Sequence, residues 1–127
     1  MINFDKRFRF RNFQVYKDTR DFNIDIKKLA GKFPVEEKYA LSSQLLRASI
    51  SVILNIAEGS DRGTDKDFAL FLNRAHTSLN EIVACFDIAL DSNYINLSEH
   101  NIFLEKAANL ANQLTAFRKK ILANPNK

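Results

Sequence analysis

One cysteine, two prolines, three glycines and no tryptophan leave this chain of 127 residues short of the usual staples and punctuation. The lone Cys85 cannot close an internal disulfide, which points to a reducing compartment. So few glycines and prolines do not supply the turns that a chain of many short strands requires. No apolar run nears the ~18 residues of a membrane span. The longest candidate, Ile50 to Ala57, is interrupted by Ser51 and Asn55. The N-terminus, Met1 to Arg11, alternates aromatics with cations and lacks the apolar core of a secretory signal. A cytoplasmic location, with no membrane partner, is the expectation that remains.

Apolar residues make up 46% and charged residues 27%, both ordinary for a globular protein. The length suits one domain over residues 1–127, with 1–11 a basic aromatic segment and 123–127 a short tail. Four segments carry helical periodicity, which predicts an all-α, up-and-down antiparallel four-helix bundle. The first runs from about Phe13 to Ala30, with Val15, Thr19, Phe22, Ile26 and Leu29 on one face, Asn12 as cap and Gly31 then Pro34 as stop. The second runs from about Val35 to Glu58, with Gly59 just past its end. The third starts after Thr64, whose hydroxyl can cap the helix while Asp67 reaches back. Its stripe is Phe68, Leu72, Ala75, Leu79, Ile82, Phe86 and Leu90. The fourth follows Ser98 as cap, carries Phe103, Ala107, Leu110, Leu114, Phe117 and Ile121, and closes at Pro125.

The second helix differs from the rest. Gln44, Ser51, Asn55 and Glu58 fall in one narrow polar stripe that Arg62 would continue past the helix end. Leu41, Leu45, Leu46, Ile50, Val52, Ile53, Leu54, Ile56 and Ala57 cover most of the remaining circumference. A helix apolar nearly all round is buried on more than one side, so a partner chain, most simply another copy, is expected. The stripe reads as a structural polar network of Gln44, Arg47, Ser51, Asn55 and Glu58 that pins register between helices or subunits. A buried Glu58 would then take Arg47 or Arg62 as its partner.

Catalytic and metal readings fail on residue type. A di-iron bundle needs two Glu-x-x-His pairs. Asn73 and Leu97 stand three residues before His76 and His100, the two histidines of the chain. One cysteine cannot build the usual zinc spacing, and the loop Gly59-Ser60-Asp61-Arg62-Gly63 lacks the Lys-Ser/Thr of a phosphate cradle. No cofactor, metal or catalytic residue is expected, and Cys85 reads as a small buried hydrophobe.

Charge carries more information. The net value is +4, yet residues 1–20 hold six Lys/Arg against two acids, and residues 115–127 hold four cations and no acid. Residues 80–106 hold one Lys against five acids. In the expected topology the first two groups share an end, so the bundle is polarised along its axis. Lys6, Arg7, Arg9, Arg11, Arg118, Lys119 and Lys120 are the candidate nucleic-acid-binding residues. Phe4, Phe8 and Phe10 could stack on bases, enter a membrane surface or strap onto the bundle.

Several segments carry a family signature. They are Phe33-Pro34, Glu37, Tyr39, Gln44-Leu45-Leu46-Arg47-Ala48, Ser51 and Asn55-Ile56-Ala57-Glu58-Gly59. Asp65-Lys66-Asp67-Phe68, Phe71-Leu72, Ala75, Ser78-Leu79, Glu81 and Asn93-Tyr94-Ile95 follow at matching spacing. Over about residues 10–96 the chain resembles the 23S rRNA-intervening-sequence family of bacterial four-helix-bundle proteins. Phe13-Gln14-Val15-Tyr16-Lys17 is similar to its N-terminal motif, with Tyr16 where Trp is usual, and Thr77 stands where Gly is common. Most members have no assigned activity. A related branch serves diversity-generating retroelements as an accessory protein. Resemblance to it implies a homopentamer with a basic surface for RNA or DNA and a reverse transcriptase as partner. The leading expectation is a non-enzymatic, oligomeric scaffold with sequence-nonspecific nucleic-acid affinity. The alternative is an adaptor for a partner enzyme that does not itself touch nucleic acid.

Overall fold

The computed structural model describes residues 6–123, which are helical with short connections and contain no strand. The four long helices are α1 (Gln14–Ala30), α2 (Leu41–Gly59), α3 (Asp65–Asp91) and α4 (Leu97–Leu122). Two short 3₁₀ segments, Lys6–Asn12 and Val35–Glu37, precede α1 and α2. The helices pack as a bundle, α1 on α2, α2 on α3 and α3 on α4; α1 and α4 also meet, but more sparsely. Phe4, Pro125 and Lys127, and with them the proposed closure of the fourth helix, lie outside the described residues.

The apolar stripes read from periodicity meet in the interior. Val15, Phe22, Ile26 and Leu29 of α1 join Leu45, Val52 and Ile56 of α2 in one core. Leu72, Leu79, Ile82 and Phe86 of α3 and Leu110 and Leu114 of α4 complete it. Phe22, Phe86 and Phe103 interlock at centroid distances of 5.5–6.3 Å across three helices. Two end clusters fix which termini are neighbours. At one end Phe13, Phe68 and Phe117 contact one another at 5.0–6.1 Å, joining the starts of α1 and α3 to the last turns of α4. At the other, the Phe33 and Tyr94 rings lie 5.7 Å apart, and Lys32 reaches Glu99 at 2.6 Å.

Helix ends differ from expectation where side chains compete for the backbone. α2 begins at Leu41, not Val35. Pro34 opens a 3₁₀ turn, and Ala40 (φ −123°, ψ −103°) separates it from the helix. Glu37 holds this break: one carboxylate oxygen accepts the Leu41 N–H at 3.2 Å, the other the Tyr94 hydroxyl at 2.7 Å. That hydrogen bond, with burial and the Glu37 charge behind it, pushes the Tyr94 hydroxyl above its ordinary pKa. α4 is capped by Asn96 rather than Ser98. The Asn96 side chain accepts from Glu99 N at 2.8 Å, and Glu99 Oε1 accepts from Asn96 N at 3.0 Å. This is a complete capping box. The Lys32 ammonium, then the Asn96 N–H, hold the Glu99 carboxyl below the usual carboxylate range.

At α3 the Thr64 cap forms, accepting from Asp67 N at 3.1 Å. The Asp67 carboxylate points instead toward Arg62, 3.9 Å away. At α1 the cap position is Phe13 rather than Asn12, with no side-chain cap bond. The preceding 3₁₀ segment feeds the helix directly through Phe13 N–H to Phe10 O, 3.0 Å. Cys85 is buried, and burial followed by the nearby Glu81 charge pushes its thiol up, away from the reactive thiolate.

Candidate nucleic-acid interface

The aromatic end cluster decides where the basic residues lie. Because Phe13 touches both Phe68 and Phe117, the 3₁₀ segment before α1 sits beside the last turns of α4 and the start of α3. Lys6, Arg7, Arg9, Arg11, Arg118, Lys119 and Lys120 are all exposed there as residues. They are not equivalent. Arg9 donates from Nη2 to the Ser60 carbonyl at 2.9 Å, and its guanidinium lies 5.6 and 5.4 Å from the Phe13 and Phe68 ring centres. It bolts the N-terminal segment to the α2–α3 connection, so its cation is already engaged. Arg7 lies over Phe8 at 6.0 Å. Phe10 packs edge-on against Tyr16 at 4.9 Å, whereas Phe8 stays 49% exposed. Of the three roles open to the aromatics, the strap accounts for Phe10 and leaves Phe8 facing solvent. Phe4 lies outside the described residues.

Two further cations join this region. Arg62 and Arg74 lie 4.9 and 4.7 Å from the centre of the Phe71 ring. Their sequence signal was the spacing around Phe71, one residue nine before the ring and one three after it, which helical periodicity alone does not single out. Each holds its guanidinium carbon within about 5 Å of the ring centre, a cation–π distance that leaves N–H groups for phosphate contacts.

The polar network forms in part, at the α2–α3 seam. Ser51 and Ser78 hydroxyls are 2.8 Å apart, and Asn55 Nδ2 donates to Ser51 O at 2.9 Å and Ser51 Oγ at 3.1 Å. Gln44 donates to Glu81. Arg47 and Glu58 stand apart from this network, exposed and without an ion pair among the described residues. At ~100° per residue they lie about 60–80° round α2 from Asn55, past the edge that α3 covers. The expected burial of Glu58 against Arg47 or Arg62 is therefore not found within one chain. Arg47, Ile50, Leu54 and Glu58 instead line a shallow outward face. Ile50 and Leu54 are 44% and 57% exposed, and Leu70 and Ile88 of α3 are 46% and 51% exposed. Thr77, also exposed, bonds back to Asn73 O at 3.1 Å. A second polar tie, unforeseen from the stripe, is Ser49 Oγ to Asn23 Oδ1 at 2.8 Å between α2 and α1.

No helix among the described residues is long and apolar enough to cross a membrane. Nor does any group of three His, Cys, Asp or Glu among them stand where it could hold a metal.

The sequence pattern of the 23S rRNA-intervening sequence protein family matches residues 11–116. The chain belongs to this family. The match extends the likeness through most of α4, beyond the residue 96 at which the motifs fade. Among similar solved structures is that of a protein of unknown function from the S23 ribosomal protein family of Bacteroides thetaiotaomicron. It has a TM-score of 0.74 and 23% identity, and covers 83% of this chain and 98% of that one. At that identity the likeness speaks to the fold alone. No curated protein matches the chain. Neither description names a catalytic activity.

Proposed function

We propose that this family member is a non-enzymatic scaffold, a single-domain, up-and-down antiparallel four-helix bundle that assembles with copies of itself and holds nucleic acid without sequence preference. The two end clusters support the topology: α1 and α3 start where α4 ends, and the Lys32–Glu99 pair joins the end of α1 to the start of α4. The observation that carries the function is the gathering of Lys6, Arg11, Arg118, Lys119 and Lys120 on one exposed end, with Arg62 and Arg74 nearby. Cations so placed neutralise phosphates and release counterions, contacts that position a backbone and read no bases. Arg9 is assigned to holding the segment rather than to phosphate.

Self-association is supported by the α2–α3 face, where Ile50, Leu54, Leu70 and Ile88 remain exposed between charges of both signs. By the family resemblance the assembly is a pentamer, which would repeat the basic end five times. A cytoplasmic location fits this reading.

Charge reversal separates the roles. Replacing Arg118, Lys119 and Lys120 by Glu removes exposed cations and should weaken filter binding of short duplexes and single strands alike, with the melting temperature kept. If binding persists undiminished in that variant, the basic end is not the site. If the wild type binds neither form, the adaptor reading, in which the exposed α2–α3 apolar face holds a partner enzyme such as a reverse transcriptase, takes its place.

A further inference from the structure

The seam between α1 and α4 is the loosest in the bundle. It opens into a pocket of about 430 Å³ whose floor is Phe22 and Leu110 and whose rim includes Ile102, 50% exposed. Two polar bridges cross the seam and frame this pocket. Lys106 Nζ reaches Asp25 Oδ2 at 3.0 Å on one side, and Gln113 Nε2 donates to Asp18 Oδ2 at 2.9 Å on the other. Asp21 stands between them and Glu105 next to Lys106, both exposed and neither in an ion pair among the described residues. Past the Asp18–Gln113 bridge the apolar seam resumes over Phe13, Val15, Ala116 and Phe117, in a second opening of about 420 Å³ beside Lys120. Along α4 the two openings run from Ile102 to Lys120, about 27 Å at ~1.5 Å per residue.

We infer that this seam is a docking groove for a basic amphipathic helix of a partner protein. Length excludes a small metabolite, which would fill one opening and leave the other bare. The lining of the first opening, Asp18, Asp21, Asp25 and Glu105 against the single cation Lys106, repels a nucleic-acid backbone. The chain's own exposed apolar face does not supply the occupant either. Around Ile50, Leu54, Leu70 and Ile88 the charges balance, Arg47 and Arg74 against Glu58 and Glu81, where the seam asks for a cationic excess. The fitting ligand has an apolar stripe at i, i+4, i+7 and i+11 and Lys or Arg on the half that lies over Asp21 and Glu105. Its other half, over Lys120, is uncharged. The groove lies on α1 and α4, away from the α2–α3 face of the self-association reading, and meets the basic end at Lys120.

The test uses the full chain and two fluorescein-labelled 18-residue amphipathic peptides with identical leucine stripes. One carries lysines on its N-terminal half, the other glutamates at the same positions. Anisotropy at low salt should show the cationic peptide binding at least tenfold more tightly. In the double variant Asp21→Lys with Glu105→Lys that preference should invert, since both positions are exposed and the bundle is expected to melt unchanged. Amide chemical-shift changes on adding the cationic peptide should centre on Phe22, Ile102 and Leu110. Four outcomes would overturn the inference. They are no binding up to 1 mM, equal affinity for both peptides, shifts centred on Ile50 and Leu70, and a changed sedimented mass in the double variant, which would assign the seam to a second copy.

Discussion

Gly59 is required by its neighbour rather than by its own backbone. It sits in right-handed helix as the last residue of α2, and a Cβ there would lie 2.6 Å from Phe71 Cβ and 3.1 Å from Phe68 Cδ1. Since Phe71 Cβ is fixed to the α3 backbone, the helices would have to move apart. Gly59→Ala should therefore destabilise by about 1–3 kcal/mol despite alanine's better helix propensity, a fall on the order of 5 °C in melting temperature. Gly63→Ala, with open space at its Cβ, is the matched control and should change little. Asn93 poses the opposite case. Its φ of 63° and the bonds Tyr94 N–H to Ala89 O and Asn93 N–H to Leu90 O close α3 in a left-handed turn. Asn93→Ala should cost about 1 kcal/mol, and Asn93→Gly should be neutral or slightly stabilising. Glu99 supplies the pH dependence. Its pKa is lowered in the folded chain by Lys32, so its contribution is present above the unfolded value of ~4.3 and is lost as pH falls through the folded value. The melting-temperature gap between wild type and Glu99→Gln should close on acidification from pH 7 to pH 2.5; a constant gap would contradict the linkage.

The helices divide by how their boundaries are set. Apolar spacing alone placed α1 and α3, because Val15, Phe22, Ile26, Phe68, Leu72, Leu79 and Phe86 are both periodic and buried. It misplaced the start of α2, because what stops that helix short of Leu41 is a carboxylate shared with Tyr94, 57 residues away in sequence. A long-range side-chain partner leaves no local signal. The Asn96 cap differs, because Asn96 and Glu99 stand at capping-box spacing, a local pattern passed over for Ser98. The polar stripe of α2 was legible as a set, but which of its members face α3 depends on a rotation of less than one residue. Gln44, Ser51 and Asn55 turn toward α3, and Arg47 and Glu58 turn out beside Ile50 and Leu54. That outward stripe is the element to test for assembly. Replacing Ile50 and Leu54 by Lys should leave the helical circular dichroism intact, since neither is in the core. It should reduce the sedimented mass from several times 14.6 kDa toward a single chain. A wild type that already sediments as one chain would remove the oligomer from the account.

At the scale of the molecule, charge counting located a polarised axis but could not tell a working cation from a structural one. Arg9 belongs to the basic set by sequence, yet its hydrogen bond to Ser60 O and its two ring contacts make it a fastener. Arg62, which the sequence placed only at the end of the α2 stripe, and Arg74 both lie against Phe71, a contact that charge counting does not show. On the proposed function, what remains exposed at that end is a sequence-blind electrostatic surface, and its signature is salt dependence. If about six phosphates are engaged across an assembly, log affinity for duplex DNA should fall against log salt with a slope near −5, identical for duplexes of unrelated sequence. The most direct measurement is that titration of the wild-type protein by filter binding, from low salt upward, on two duplexes that share no sequence. Parallel lines of that slope are expected. Binding absent above ~10⁻⁴ M at low salt, or an affinity that salt leaves unchanged, would contradict the nucleic-acid reading.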